Sequence, residues 1–510
     1  MAGSNWMDRF ARWESTTVKV LGAIEFLFAF ILILPLMVSI YFGEDISPFI
    51  TIMPVLLLVG TLQFLLFRES KNFRAVNGLL MVGLAWVLVF GLGMYPYVIA
   101  GMNPLDALFE SVSGFTTTGA TIMADIESWP YGILVWRSMS QWVGGIAIII
   151  IFMYILPMFG VGRSIFANEL AGSGSSDYSV RMKNAAKSFI IVYSILTVIN
   201  YVLLLLCGLS LVDATCLAFT TISTGGLMCR NDSLVGFSDL VQLITIFFMF
   251  LGGVNFYLHY RALYRHVKKV YRSNSEFKYL TLWFVGISTI VFLMILTKVS
   301  NMSLLEPYDY IDLFTDVLFT TVSLGTSTGF YVIDYCTFPD QCIILLMIVA
   351  FIGASSGSTS GGVKFGRLRI IYEFIKNSLA KTLHPNAVTA VKVDGENVDD
   401  SSVFAALAIF MMYVVTLVVG SVLISMFGIH FVDALGLSIA SVANGGLGFQ
   451  NYGPTASLSE LMAPVKLIMI GLMWLGRLEI MIALVFFTPS FWREMWLNHR
   501  AKKREKEFRD

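Results

Sequence analysis

Four stretches of the chain share one arrangement of residue types: DALFESVSGFTTTGAT at 106–121, DATCLAFTTISTGGL at 213–227, DVLFTTVSLGTSTGF at 316–330 and DALGLSIASVANGGLGF at 433–449. Each opens on an aspartate and closes on a small cluster ending in glycine: Thr117-Thr118-Gly119, Ser223-Thr224-Gly225, Ser327-Thr328-Gly329 and Ala443-Asn444-Gly445. The aspartate-to-glycine spacing is 13, 12, 13 and 12 residues; Gly226 and Gly446 follow directly, so the register of the second and fourth stretches is open by one. No nucleophile or metal-ligand set stands among these residues; what they offer is oxygen. Glycine permits backbone angles that turn carbonyls inward, and a ring of carbonyl oxygens replaces the water shell of a monovalent cation. A single Thr-Gly cluster reads as a loop turn. Four at matched offsets, each between two apolar helices, read as the walls of a pore for a monovalent cation. Its candidate binding residues are Thr117, Thr118, Gly119, Ser223, Thr224, Gly225, Ser327, Thr328, Gly329, Asn444 and Gly445.

Such loops need helices to hold them at membrane depth. The ten or so residues after each aspartate are too few to span a bilayer and suit a half-helix that enters and stops midway. An acid in its first turn complements the helix dipole, whose far end turns partial negative charge toward the membrane centre. Apolar runs of spanning length lie near 17–42, 50–67, 76–100, 133–160, 186–210, 239–262, 279–299, 341–374 (interrupted), 403–429 and 463–488. The expected fold is an all-α integral membrane protein. It has four pseudo-symmetric units of helix, pore loop and helix (M1–P–M2) around one central pore, plus two extra N-terminal transmembrane helices. The segments are 1–74 for the N-terminal pair, 75–163, 164–272, 273–383 and 384–492 for the units, and 493–510 for a basic tail.

Composition points to the same solvent. Of 510 residues 57% are hydrophobic and 13% charged, with 34 basic residues balancing 34 acidic ones. A soluble domain carries about a quarter charged residues, and so few cannot coat a water-facing surface. A disordered chain and a nucleic-acid binder driven by net basicity are excluded. Lys and Arg crowd 68–74, 261–278, 364–381 and 493–510. Acids collect on the alternate connections, among them Glu44, Asp106, Glu110, Asp213, Glu306, Asp309, Asp316 and Asp433, with Arg230 as the basic exception. The positive-inside rule places both termini in the cytoplasm. The outer acids either solvate loops or concentrate cations at a pore mouth. The first apolar run begins near Val18, is too long for a signal-peptide core and has no small-residue cleavage site after it. Cys207, Cys216, Cys229, Cys336 and Cys342 are scattered without a CxxC and read as dispersed thiols rather than a disulfide scaffold or zinc site.

Two further features interrupt the apolar pattern. GASSGSTSGG at 353–362 cannot hold a helix with confidence. It is either a break beneath the filter or a close helix crossing, since small residues serve both. Arg477 sits in the run KLIMIGLMWLGRLEIMIALVFF, where a charge costs several kcal/mol unless it finds water or a partner. It either snorkels or makes a structural ion pair, or it faces the cavity near 353–362 and impedes cations as part of a gate. Lys364 is a second, weaker candidate of that kind. Arg137, Gln141, Asn255 and His259 fall at helical spacings and suit structural hydrogen bonding.

The sequence resembles the Trk/Ktr/HKT superfamily of potassium transporters, most closely its TrkH-type bacterial members. The resemblance covers nearly the whole chain. It rests on the four filter stretches together with WRSMSQWVGGIAIIII (136–151), FLGGVNFYLHY (250–260), GSTSGGVKFGRLR (357–369), HPNAV (384–388) and LGRLEI (475–480). It implies one polypeptide folded like a tetrameric potassium channel, a homodimer in the bacterial inner membrane, and potassium as the transported ion. It implies Gly119, Gly225, Gly329 and Gly445 as filter glycines, and Gly119, rather than a serine there, favours potassium. It implies a gating loop whose residues here are Gly353, Ser356, Gly357, Ser358, Thr359, Gly361 and Gly362. It also implies docking of the basic segments 261–278 and 376–397 to a cytosolic TrkA-type nucleotide-binding ring, which this chain, with no GxGxxG or Walker A pattern, does not encode. Ala443-Asn444 departs from the Thr/Ser pairs of the other loops. The alternative is a sodium- or proton-coupled potassium (or sodium) symporter on the same fold, for which acids near the site and inverted repeats are expected; the filter motifs carry no acid. A membrane enzyme would cluster His, Glu or Asp on its spans, and the five histidines are dispersed.

Overall fold

The computed structural model describes residues 15–67, 75–154, 178–264, 267–299, 310–385 and 390–495. The basic stretch 68–74, Glu306, Asp309, residues 386–388 of HPNAV and most of the basic tail lie outside the described residues. In chain order the helices are α1 (Ser15–Ile31), α2 (Ile33–Phe42), α3 (Ser47–Ile50), α4 (Met53–Leu66), α5 (Ala75–Ile99), α6 (Pro104–Phe115) and α7 (Tyr131–Tyr154). There follow α8 (Tyr178–Leu206), α9 (Leu211–Ile222), α10 (Asp239–Gly253), α11 (Phe256–Tyr264), α12 (Val267–Ser273), α13 (Ser275–Val299), α14 (Tyr310–Gly325), α15 (Asp340–Ile352) and α16 (Phe365–Leu383). The last are α17 (Asp400–Ser425), α18 (Phe431–Val442), α19 (Ala463–Arg477) and α20 (Ile480–Val485). Strand is confined, among the described residues, to the hairpin β1 (Lys392–Val393) and β2 (Glu396–Asn397). The all-α membrane fold expected from the sequence is the fold observed, with six described helices long and apolar enough to cross a bilayer.

The chain divides into two compact units. The first comprises residues 1–108, 130–136 and 478–510. In it α1 and α4 cross at Gly22 and Gly60, where a methyl on either would lie 2.9 or 2.7 Å from the other's carbonyl oxygen. Small residues permit such close backbone approach in lipid. Next to the crossing, buried Glu25 accepts a hydrogen bond from Gln63 Nε2 at 3.3 Å. Glu44, one of the outer acids, spends its carboxylate on the first amides of α7, Tyr131 N and Gly132 N, at 2.6 and 3.0 Å. These are helix donors that lack an intrahelical partner.

The second unit comprises residues 109–129 and 137–477. Three sequence-predicted spans are broken; composition marked the interruption of 341–374 and not the other two. The run 239–262 is α10 and α11 bent by 100°. The reason is local: Val254 is extended, and Asn255 Oδ1 accepts from Tyr257 N at 2.9 Å, so Asn255 caps a new helix. The run 341–374 is α15 and α16 separated by the non-helical segment 353–364, so the small-residue stretch is a break and not a helix crossing. The run 463–488 ends its first helix at Arg477, and Glu479 takes a left-handed φ of 60° before α20. The last six residues of the run 133–160 lie outside the described residues.

Candidate functional site

The four Asp-led stretches form α6, α9, α14 and α18, of 12, 12, 16 and 12 residues. At 1.5 Å per residue they reach about 18–24 Å, short of the ~30 Å bilayer core. Asp106, Asp213 and Asp433 occupy first turns as expected. In the third, α14 starts at Tyr310, so Asp312 holds the first turn and Asp316 lies one turn further in.

Each helix ends the same way. Thr118 N, Gly225 N, Thr328 N and Gly445 N donate to the carbonyls of Ser113, Thr220, Ser323 and Ala440, at 2.9, 2.8, 2.8 and 2.9 Å. The residue before each donor is left-handed: Thr117, Thr224, Ser327 and Asn444 have φ of 50°, 51°, 53° and 52°. Non-glycine residues adopt that conformation at a cost of order 1–3 kcal/mol each and only where surroundings impose it. Here the imposing element is the helix C-cap. The same conformation recurs two residues on, at Gly119, Gly226, Gly329 and Gly446, with φ of 86°, 83°, 82° and 72°.

This equivalence corrects the register. Gly226 and Gly446, not Gly225 and Gly445, match Gly119 and Gly329. Gly225 and Gly445 take the places that Thr118 and Thr328 hold in the other loops. Backbone conformation decides the matter, because only the second glycine of each pair is left-handed.

The loops close on one another in chain order. A methyl on Gly119 would lie 2.1 Å from Gly225 O, one on Gly226 1.9 Å from Thr328 O, one on Gly329 2.5 Å from Gly445 O, and one on Gly446 2.3 Å from Thr118 O. Each glycine thus packs on the carbonyl before the matching glycine of the next loop, and the fourth returns to the first. The four glycines also line a single cavity, whose wall includes Thr121, Arg230, Asn231 and Tyr331.

The ring is not fourfold in its side chains. In loops one and three, Ser113 and Ser323 Oγ donate to Ala120 O and Phe330 O, each at 2.6 Å, and the hydroxyls of Thr116–Thr118 and Thr326–Thr328 pair at 2.8 Å. Of these, Ser113, Thr116, Ser323 and Thr326 were missed in the sequence, although the spacing S-x-x-T-x-T occurs at 113–118 and 323–328. In loop four, Asn444 Nδ2 donates to Thr118 Oγ1 at 2.9 Å and to Met473 O at 3.0 Å. That contact sews the ring where its last loop meets its first.

Arg137 and Gln141 hold the ring from α7. Buried Arg137 donates from Nε to Glu110 Oε2 at 3.1 Å, from Nη1 to Met228 O at 3.1 Å and from Nη2 to Thr121 Oγ1 at 2.9 Å. Glu110 is thereby committed, as are Asp213, paired with Arg230 at 2.7 Å, and Asp433, bonded by Asn451 Nδ2 at 2.8 Å. These three acids are engaged by protein partners rather than standing bare. Cys216 and Cys229 form a disulfide, which corrects the reading of dispersed thiols; the re-entrant path returns the chain alongside its own half-helix and brings the two together. Cys207, Cys336 and Cys342 take no part in a disulfide among the described residues.

The segment 353–364 lies where the half-helices end. Thr359 Oγ1 donates to Ile222 O and to Gly252 O, both at 3.1 Å, and accepts from Thr224 Oγ1 at 3.2 Å. Gly361 N donates to Ser327 Oγ at 2.7 Å, and a methyl on Gly361 would meet Ala443 O at 2.0 Å. One loop therefore touches the ends of the second, third and fourth half-helices. Gly353, Gly357 and Gly362 are left-handed, as is Lys364 with φ of 78°. Ser356 N donates to Glu276 Oε1 at 2.8 Å, and Ser358 Oγ to Ser355 O at 2.6 Å. Lys364 Nζ turns back into the segment, onto Ser358 O and Ser360 O.

Arg477 Nη1 donates to Thr359 O at 2.8 Å, which places the guanidinium against this segment. The side chain is buried, and Nε and Nη2 have no hydrogen-bond partner among the described residues. Thr117 Oγ1 and Asn444 Oδ1 are likewise buried without a hydrogen-bond partner among the described residues. His259 plays the structural part expected of it, bonding Tyr271 Oη at 2.7 Å and Leu251 O at 2.9 Å. Among the described residues no three His, Cys, Asp or Glu side chains gather as metal ligands.

Comparison with known proteins places this geometry in context. The TrkH family model, described as cation transport protein, matches residues 46–494. The Trk system potassium uptake protein TrkH of Halomonas elongata is 31% identical over 486 residues, covering 94% of this chain and 99% of that one. The Escherichia coli K12 protein of the same name is 31% identical, covering 93% and 99%. The crystal structure of the potassium transporter TrkH from Vibrio parahaemolyticus superposes with a TM-score of 0.83 at 29% identity, covering 94% of this chain and 99% of that one.

Proposed function

This chain belongs to the TrkH family of cation transport proteins, and we propose that it takes up potassium through the ring of four loops. The carrying observation is the closed circuit of Gly119, Gly226, Gly329 and Gly446 on the carbonyls of Gly225, Thr328, Gly445 and Thr118. A potassium ion sheds water against oxygens held at fixed spacing by four matched helix ends, whose dipoles favour a cation there. No covalent step is required. The binding residues are Thr117, Thr118, Gly119, Ser223, Thr224, Gly225, Gly226, Ser327, Thr328, Gly329, Asn444, Gly445 and Gly446.

Below the ring, the segment 353–364 is the gate, and Arg477 holds it shut at Thr359 while presenting a positive charge to ions. The protein lies in the bacterial inner membrane with both termini in the cytoplasm, as the charge distribution supports. The five segments bounded at 74, 163, 272, 383 and 492 are the N-terminal pair and the four pore units. The names of its relatives place those proteins in a Trk system. We infer further, from the family resemblance, that this chain works as a homodimer with a cytosolic nucleotide-binding regulatory partner of the TrkA type.

Growth rescue of a potassium-uptake-deficient bacterium tests the assignment. The parent protein restores growth at low potassium, and Gly119→Ser, whose Cβ meets Gly225 O at 2.1 Å, loses most of that rescue. Failure of the parent to rescue with a TrkA-type partner supplied would remove potassium as the cargo.

A further inference from the structure

Loop two is the odd member of the ring. Loops one and three are locked by their own hydroxyls, as described above. Loop four is closed by its own backbone: Leu447 N donates to Gly445 O at 2.9 Å, across Gly446. Loop two has glycine at the same place, and the matching pair is Gly225 O and Leu227 N. Between them stands the amide of Gln141. Its Nε2 donates to Gly225 O at 2.6 Å and its Oε1 accepts from Leu227 N at 3.0 Å. One side chain of α7 thus takes up the carbonyl and the amide that in loop four satisfy each other. Gln141 is fully buried. Arg137, one helical turn earlier, holds Met228 O in the same loop.

We propose that Gln141 is a positioning residue for ion selectivity, wedging open the second filter loop so that the ring keeps potassium's spacing. This rests on the pore reading above. Without the wedge, Gly225 O and Leu227 N are free to close on each other across Gly226, as in loop four, and Gly225 O moves against Gly119. A glutamine fits because the loop offers one acceptor and one donor, and a primary amide answers both without depending on a proton, whereas an ionised carboxylate answers only one. Glutamate keeps an acceptor for Leu227 N but sets oxygen against oxygen at Gly225.

The test is the reversal potential of the purified protein in a lipid bilayer under opposed potassium and sodium gradients, with folding checked by gel filtration. Gln141→Glu, nearly isosteric, lowers the potassium-to-sodium permeability ratio by roughly tenfold, the scale set by one buried hydrogen bond, and Gln141→Leu does the same or more. If Gln141→Leu does not fold, Gln141→Glu decides. Parental selectivity in a folded Gln141→Glu or Gln141→Leu overturns the proposal while leaving the pore reading intact. A parent protein that shows no potassium selectivity overturns both.

Discussion

Arg477 and Thr359 are joined by a charge-assisted hydrogen bond of 2.8 Å, from the end of α19 to the middle of the segment that touches three half-helix ends. Arg477→Ala removes the bond and the charge together. A charge-assisted bond is worth about 1.5–3 kcal/mol, so basal potassium flux in proteoliposomes rises by roughly tenfold or more. Unchanged or reduced flux in a folded variant means the arginine does not restrain the gate.

The register makes a sharper claim, because neighbouring glycines are predicted to behave differently. A methyl at Gly446 meets Thr118 O at 2.3 Å on a left-handed backbone, whereas one at Gly445 has only Ser327 Cα, at 4.0 Å. Gly446→Ala abolishes potassium uptake, and Gly445→Ala costs far less. Equal losses, or the reverse order, would return the filter glycine to position 445.

The Arg137–Glu110 pair is almost wholly buried, at 1% and 0% exposure. Removing one partner of such a pair costs about 3–5 kcal/mol, because the other charge is left unpaired. Arg137→Met therefore lowers the thermal unfolding midpoint in detergent, and adding Glu110→Gln restores part of the loss. A double variant no more stable than Arg137→Met would show that the pair is not the source of the cost.

The disulfide between Cys216 and Cys229 closes a loop of sequence separation 13. Chain entropy assigns such a loop about 3 kcal/mol. Cys216→Ser and treatment with reductant lower the unfolding midpoint by the same amount, and reductant adds nothing to the variant. An additive effect would show that reductant acts elsewhere.

Much of this was legible in residue types. The Asp-led stretches predicted four half-helices, and counting to Gly226 and Gly446 makes all four spacings 13, a signal that fixes the register. The elbow at Val254–Asn255 was not legible, because Gly252 and Gly253 read equally well as close packing and the cap at Asn255 is a single side chain. The Cys216–Cys229 bond was hidden because a separation of 13 says nothing until the chain is known to double back. Gln141 and Arg137 read as ordinary polar residues on a helix; their role depends on which loop lies opposite, and hydropathy does not encode that. Arg477 was visible as a charge out of place, and the structure supplied what it touches.

The central claim is that a ring of backbone oxygens passes potassium in preference to sodium. It is tested most directly by the reversal potential of the parent protein in a planar bilayer with potassium on one side and sodium on the other. The account predicts reversal that tracks the potassium gradient and does not move when the sodium concentration is changed. A reversal potential that follows sodium, or that shifts with the gradient of sodium or protons as coupled transport requires, would contradict it.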